Sequence, residues 1–551
     1  MNVADLLPRR EDYDLRPRTL RADLAAGVTV GVVALPLALA FGASAGVGPA
    51  AGLVTAVVAG IVAAVLGGSN VQVSGPTGAM AVVLAPIVAA HGAGAVALVS
   101  VLAGLIVLVA GVARLGRVVG YLPWPVVEGF TLGIACIIAL QQVPAALGVH
   151  AEAGHDTVVT AVRAVVAAAG SASPTTVWTL GAGAVVAVLV PVLSRLHPGI
   201  PSSLVAVVVV TVVAELTHAP VPRIGALPDS LPLPVVPGFD VATLRELAGA
   251  ALAVAALAAV ESLLSARVAA SMTRTGYRAD RELVGQGLAS VASGLFGGMP
   301  ATGAIARTAV NVRAGARTRL SAVVHALVVL AVLYLATGPV SRIPLAALAG
   351  VLLVTSVRMI PVATVRAVVG GGRAAAFTFA VTAVLTVAVD LIVAIEIGIG
   401  IAAFFALRHL SRDAGVRREP LPGPAEPGDE HIALFRLQGA LFFGAADRIL
   451  TTVLEGTAGT GAQVVVLRLS GLGILDATGA RALGELIDTL EAGGLTVIVK
   501  GVRGEHRDVL SGVGALTGLR HPSHLHTDLD EAVAHARTHV RRPVVDGTGP
   551  R

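Results

Sequence analysis

Apolar runs close to the length of a membrane span recur along the first three quarters of the chain. A helix crosses the hydrocarbon core with about 20 residues. Runs near that length lie at 24–43, 50–67, 94–113, 125–147, 176–194, 202–217, 248–266, 281–298, 320–337, 344–357, 374–389 and 391–408. Two further runs, at 77–90 and 303–315, are short and open on Gly/Pro/Thr-rich sequence. Together they predict an all-α polytopic membrane domain of about 14 elements over residues 24–412, after a polar cytoplasmic segment at 1–23. Beyond Arg412 the pattern changes. Residues 413–430, Pro/Gly-rich from 420, read as a linker. Strand and helix signals then alternate over 431–540: strands at 432–437, 464–469 and 495–499, helices at 445–455 and 478–492. That alternation predicts a small α/β domain. The final stretch, 541–551, reads as a disordered tail.

Composition agrees. Hydrophobic residues make up 55% of the chain and charged residues only 13%, against about 25% in soluble domains. The net charge of +5 is almost wholly arginine, since Lys500 is the sole lysine. The arginines sit between apolar runs, which fits membrane topology and gives no reason to expect a nucleic-acid partner. With both termini inside, inner loops hold Arg114, Arg117, Arg195, Arg267, Arg274, Arg278, Arg281 and the arginines near 313–319, 358–373 and 408–412. Outer loops hold Arg163, Arg223, Arg245 and Arg342. This positive-inside bias supports an even count and a multi-pass protein of the cell inner (plasma) membrane. Cys136 is the single cysteine, so no intrachain disulfide forms.

The short runs look alike. Ser74-Gly75-Pro76-Thr77-Gly78-Ala79-Met80 resembles Met299-Pro300-Ala301-Thr302-Gly303-Ala304-Ile305. With about seven elements in each half, an odd number, the second half is inserted upside down. Gly/Pro-interrupted segments at matching places in two halves point to a transport site. Two half-helix N-termini meeting near the midplane present free N–H groups and positive dipole ends to an anion. The bland alternative is a pair of re-entrant helices with small residues for packing.

Candidate chemistry gathers there. Glu261 interrupts an almost unbroken Ala/Val/Leu stretch, and a mid-membrane carboxylate is a functional candidate by default. It could bind Na⁺ or carry H⁺, with the Ser265 hydroxyl one turn on as a second ligand. Arg307, a turn beyond Thr302-Gly303-Ala304, is a candidate anion holder. Pro36 interrupts the first span, and Phe41 beyond it could wall a pocket. Glu128, after Pro123-Trp124-Pro125, reads as interfacial structure; His325, Asp390 and Glu396 are weaker pathway candidates. No phosphate-binding loop, zinc spacing or nucleophile elbow occurs, so an enzyme or ATP-driven pump is not expected.

These residues resemble the SulP family. Asp23–Leu53 looks like its first-span signature, and Val73–Met80 like its third-span entry. The most specific match is Glu261-Ser262-Leu263-Leu264-Ser265, Arg281–Gly287 and Arg307-Thr308-Ala309-Val310-Asn311. Leu475-Asp476-Ala477-Thr478-Gly479 resembles a STAS domain. The resemblance implies a 7+7 inverted repeat with core and gate subdomains, a homodimer, and elevator-like alternating access. It implies an anion site from Phe41, Thr77, Gly78, Ala79, Thr302, Gly303, Ala304 and Arg307. Coupling through Glu261 and Ser265 follows from it, with Na⁺ as the possible ion and no other cofactor. Ala34–Gly42 and Thr273-Arg274-Thr275 most resemble the sodium–bicarbonate subgroup. Ile305 departs from that subgroup, where a threonine ligates sodium, and is closer to proton-linked dicarboxylate carriers. Ala477 replaces the serine phosphorylated in regulatory STAS domains, leaving Thr478 as a weak substitute. The readings left open are bicarbonate, sulfate or C4-dicarboxylate as substrate, Na⁺ or H⁺ as driver, a passive anion channel, and a membrane-anchored STAS signalling protein with a cytoplasmic partner.

Overall fold

The computed structural model describes residues 12–117, 123–149, 157–170, 173–196, 200–238, 241–360, 362–389, 391–442 and 446–540. The expected tail at 541–551 and Asp390 lie outside the described residues. The chain divides into two compact units, Met1–Ile399 and Gly400–Arg551.

The first unit is helical. Its first half holds α1 (Pro17–Ser44), α2 (Pro49–Leu66), α3 (Gly78–His91), α4 (Gly94–Val112), α5 (Trp124–Gln141), α6 (Val143–Leu147), α7 (Thr157–Gly170), α8 (Pro174–Leu196) and α9 (Ser202–Leu216). The second holds α10 (Val241–Thr273), α11 (Ala279–Leu295), α12 (Ile305–Arg313), α13 (Leu320–Leu335), α14 (Thr337–Ser341), α15 (Leu345–Arg358), α16 (Val362–Gly370), α17 (Arg373–Ala388) and the start of α18 (Leu391–Asp413), which continues into the second unit. Each expected span is helical. Proline stands in the first turn of α1, α2 and α5, where its missing N–H costs no hydrogen bond. Pro36 is buried inside α1, which stays continuous through it. Three helices were not expected: α7, in what reads as an outer loop around Arg163; the short α14, between the runs 320–337 and 344–357; and α16, around Arg366.

Helix packing displays the internal repeat. α4 packs on α10 and α11, while α13, its counterpart in the second half, packs on α1 and α2. A second group pairs α5 with α17 and α8 with α9 and α15. The first group is locked by buried polar residues. Glu282 accepts from the Gly68 and Ser69 amides at 2.7 and 3.1 Å, and from Gln286 at 2.8 Å. Arg281 and Arg319, each 1% exposed, reach Asp12 at 2.8 and 3.7 Å. Asp23 on α1 accepts from the amides of Arg317 and Thr318.

The second unit carries a five-stranded sheet in the order β3 (Gly415–Glu419), β4 (Ile432–Leu441), β5 (Val464–Leu475), β6 (Thr496–Lys500), β7 (Leu525–His526); β1 (Ser74–Gly75) and β2 (Thr302–Gly303) belong to the first unit. β3 is antiparallel to β4 and the rest are parallel. α19 (Ala446–Thr457), α20 (Ala477–Ala492) and α21 (Gly504–Gly512) pack on one face, and α22 (Leu529–His539) on the other. Burial on both faces explains the unbroken apolar run Val464–Leu467. Asp476 caps α20, accepting from the Gly479 amide at 2.7 Å. Residues 415–419, expected within the linker, form an edge strand. Its charged residues Arg417, Arg418 and Glu419 suit an edge, where charge discourages further pairing.

Candidate transport site

The two short runs meet as an antiparallel crossing. β1 (Ser74–Gly75) pairs with β2 (Thr302–Gly303), Ser74 opposite Gly303 and Gly75 opposite Thr302. The Ala304 amide continues the ribbon to the Val73 carbonyl at 2.9 Å. α3 and α12 start just beyond, so both half-helix N-termini issue from one point. Irregular backbone at membrane depth needs its polar groups satisfied by protein. Here the Val73 amide reaches Thr308 Oγ1 at 3.0 Å, and the Gly303 amide reaches Ser262 Oγ at 3.1 Å. Gln286 donates to Ser74 Oγ at 2.5 Å and Gln72 to the Ser262 carbonyl at 3.3 Å. Ser262, Thr308, Gln72 and Gln286 are the functional neighbours that sequence reasoning missed. Ser262 and Thr308 lie inside the motif stretches, but spacing gave no sign of what they bond.

Glu261 sits at the crossing. Its Oε2 accepts from Thr77 Oγ1 at 2.9 Å and from Thr302 Oγ1 at 2.8 Å, and the two hydroxyls are 3.2 Å apart. One carboxylate oxygen thus ties together both halves of the repeat. Thr77 is also the N-cap of α3, accepting from the Met80 amide, whereas α12 has no side-chain cap. Arg307, 2% exposed, donates to the Pro76 carbonyl through Nη2. Its Nη1 is buried without a hydrogen-bond partner and lies against Gly75, where a Cβ would come within 2.8 Å of it. The crossing therefore holds one carboxylate, one guanidinium with an unfilled donor, two hydroxyls and two helix N-termini.

An open cleft adjoins this group. Ala79, Glu261 and Ile305 line one wall. Val126, Phe130, Thr131, Ile134, Met359 and Ile395 line the other, which carries no charged residue. Nothing in the sequence marked that second wall, because apolar residues of spanning helices all look alike. Gly78 lets Phe41 approach, since a Cβ there would lie 3.2 Å from the Phe41 ring. Phe41, Thr77, Gly78, Ala79, Glu261, Thr302, Gly303, Ala304 and Arg307 are thus gathered in one neighbourhood. Ser265 is placed otherwise: fully buried, it bonds Thr308 Oγ1 at 3.2 Å. Glu128 accepts from the Trp124 indole one turn away at 3.0 Å, an interfacial contact. His325 is fully buried on α13, and Glu396 is exposed on α18.

Comparison with known proteins adds the lineage. A model of the sulfate permease family matches residues 20–382, and one of the STAS domain matches 424–532. The chain is 33% identical over 512 residues to YvdB of Bacillus subtilis, whose name assigns it provisionally to sulfate transport; the match spans 92% of this chain and 96% of YvdB. It is 33% identical over 513 residues to the bicarbonate transporter BicA of Synechocystis, 89% of each chain. The solved transmembrane domain of a cyanobacterial BicA superposes with a TM-score of 0.64 at 34% identity, covering 69% of this chain and 98% of that one. The inward-facing murine anion transporter Slc26a9 gives 0.85 at 17% identity over 97% and 94% of the two chains, a likeness of fold. The chain therefore belongs to the sulfate permease family: it is a multi-pass membrane anion transporter, not an enzyme, with a C-terminal STAS domain.

Proposed function

We propose that this protein is a secondary active transporter of a small oxyanion, bicarbonate first and sulfate second, driven by a cation taken up at Glu261. The observation that carries the proposal is the Glu261 carboxylate held by Thr77 and Thr302 at the mouths of both half-helices. Negative charge is favoured at helix N-termini. In this arrangement Glu261 itself answers that demand. A substrate anion brought there meets a like charge, and only Arg307 opposes the pair. A cation on Glu261 removes the repulsion and frees both threonine hydroxyls to donate to the substrate. Binding of anion and cation is thereby coupled. The charged residue lining the cleft, Glu261, lies on the α3/α10/α12 side, and the facing wall carries no charge. That asymmetry supports movement of the loaded site past a passive wall, the elevator form of alternating access. Bicarbonate is favoured by the relatives named for it.

Two features favour H⁺ over Na⁺. Ser265 is engaged by Thr308, and Ile305, at the first turn of α12, brings no oxygen to the crossing. Hard cations need several oxygen ligands, whereas a proton needs only the carboxylate. The test is radiolabelled bicarbonate uptake into proteoliposomes under separate Na⁺ and H⁺ gradients, corrected for CO₂ leak with empty vesicles. Wild type is expected to accumulate label under a gradient, and Glu261→Gln to lose gradient-driven uptake. Uptake that ignores both gradients indicates a passive channel. No flux with bicarbonate, sulfate or fumarate would overturn the transport reading in favour of a signalling role for the STAS unit.

A further inference from the structure

Far from the transport site in sequence, the STAS unit gathers histidines. Residues 521–539 contain five: His521, His524, His526, His535 and His539. His535 and His539 are four apart on α22 and share a face of that helix. His524 lies in the short turn before β7, brought alongside α22 by the sheet. Ring centroids of His524 lie 5.3 Å from His535 and 5.1 Å from His539, and those of His535 and His539 are 5.0 Å apart. One nitrogen from each of these three rings lies within 4.8 Å of the others.

We propose that His524, His535 and His539 form a binding site for a divalent transition-metal ion of the zinc class, which ties the segment before β7 to the end of α22.

Three further observations support it. His524 is only 3% exposed, yet its Nδ1 has no hydrogen-bond partner, an unusual state for a buried polar atom. Second, His535 Nδ1 lies 2.8 Å from His526 Nε2. A hydrogen bond from one ring nitrogen to a neighbouring group is the support that metal-ligating histidines habitually have. Glu531 stands behind His526, 4.0 Å from its Nδ1. Third, His539 is in the last turn of α22, where the helix dipole favours a cation. The basic residue beside it, Arg537, is already occupied by Asp429 and Glu426.

The ligand set selects the ion. Three neutral imidazoles without a carboxylate suit zinc, nickel, cobalt or copper, not magnesium or calcium. Tetrahedral zinc with Zn–N distances of about 2.0–2.1 Å needs nitrogens roughly 3.4 Å apart. His539 is exposed and can turn inward to close that gap, while water fills the fourth position.

The test uses the full chain in detergent with a histidine-free affinity tag, stripped with chelator. Zinc is added, excess removed, and retained metal measured alongside competition with a chromogenic chelator. One zinc per chain is expected for wild type, with affinity at least tenfold weaker in His539→Ala and in His535→Ala. His431→Ala, outside the cluster, is expected to bind as wild type does. His539→Ala changes an exposed side chain, so it separates loss of a ligand from loss of folding. Cobalt in place of zinc is expected to give the intense visible bands of tetrahedral coordination. Failure to retain zinc, retention undiminished in His539→Ala, or the pale spectrum of six-coordinate cobalt would each overturn the site and leave only an incidental surface patch of imidazoles.

Discussion

The two half-helices follow the same triplet, Thr-Gly-Ala, in different registers, α3 starting within it at Gly78 and α12 after it at Ile305, and they have different tasks. α3, after Thr77, is capped by that threonine and continues as an almost wholly apolar helix through Pro86 to His91. α12, after Thr302-Gly303-Ala304, has no side-chain cap, is nine residues long and carries Arg307, Thr308 and Asn311 buried along it. The first provides packing against α4 and a hydroxyl for Glu261; the second provides the charge. Duplication gave two matching N-termini, and divergence put the only guanidinium of the crossing on one of them. Both dipole ends favour an anion, and the single fixed cation adds to that preference.

The comparison is broken most severely at Arg307. Arg307→Leu leaves Glu261 without its nearby cation and empties the one unfilled donor, so substrate uptake is expected to fall at least about 100-fold. Removing one partner of a buried charge pair typically costs about 3–5 kcal/mol. Arg307→Lys keeps the charge without the forked geometry and is expected to retain part of the flux. Initial-rate uptake in proteoliposomes measures both variants.

A finer contrast comes from the threonines. Thr77→Val removes a donor to Glu261 and the α3 cap together; Thr302→Val removes the donor alone. Both are expected to lower uptake, by about tenfold for one hydrogen bond to a charged group. Both also lose thermal stability with that buried hydrogen bond, and Thr77→Val is expected to lose more, by the small end of the roughly 0.5–2 kcal/mol typical of a lost cap, since its bond to the Met80 amide is long at 3.5 Å. Equal thermal unfolding of the two variants would remove the distinction between capped and uncapped halves.

The smallest effect lies in the other unit and serves as a control. The forked hydrogen bond from Arg537 holds the Asp429 carboxyl below its ordinary range. A carboxylate depressed on folding contributes stability that is fully present above its unfolded pKa of about 3.9. That contribution is lost as pH falls through the folded value. Asp429→Asn is therefore expected to speed hydrogen exchange in the β4 amides slightly at pH 7, with the difference from wild type vanishing in strong acid. Bicarbonate uptake is expected to be unchanged.

Much of this was legible in the chain itself. The spans followed from apolar runs, the repeat from Thr77-Gly78-Ala79 and Thr302-Gly303-Ala304, and the candidate charges from their rarity among apolar neighbours. Other features left no readable signal. Two-residue strands such as β1 and β2 are too short to show a period of two. β3 was hidden because an edge strand is polar and resembles a linker. α7 and α16 are short and carry an arginine each, which reads as loop. The position of Ser265 one turn from Glu261 was right as helix geometry, yet its hydroxyl meets Thr308.

By itself the sequence determined that this protein lives in a bilayer, that its halves repeat, and that a carboxylate and a guanidinium are buried in it. Those follow from composition and local period, which each segment carries alone. Only the tertiary structure decided which groups meet. Glu261 bonds Thr77 across 184 positions and Thr302 across 41, and three imidazoles converge from a turn and a helix. Such meetings are set by how helices and strands pack, and a side chain's partner is fixed by its neighbours in space, which no single segment encodes.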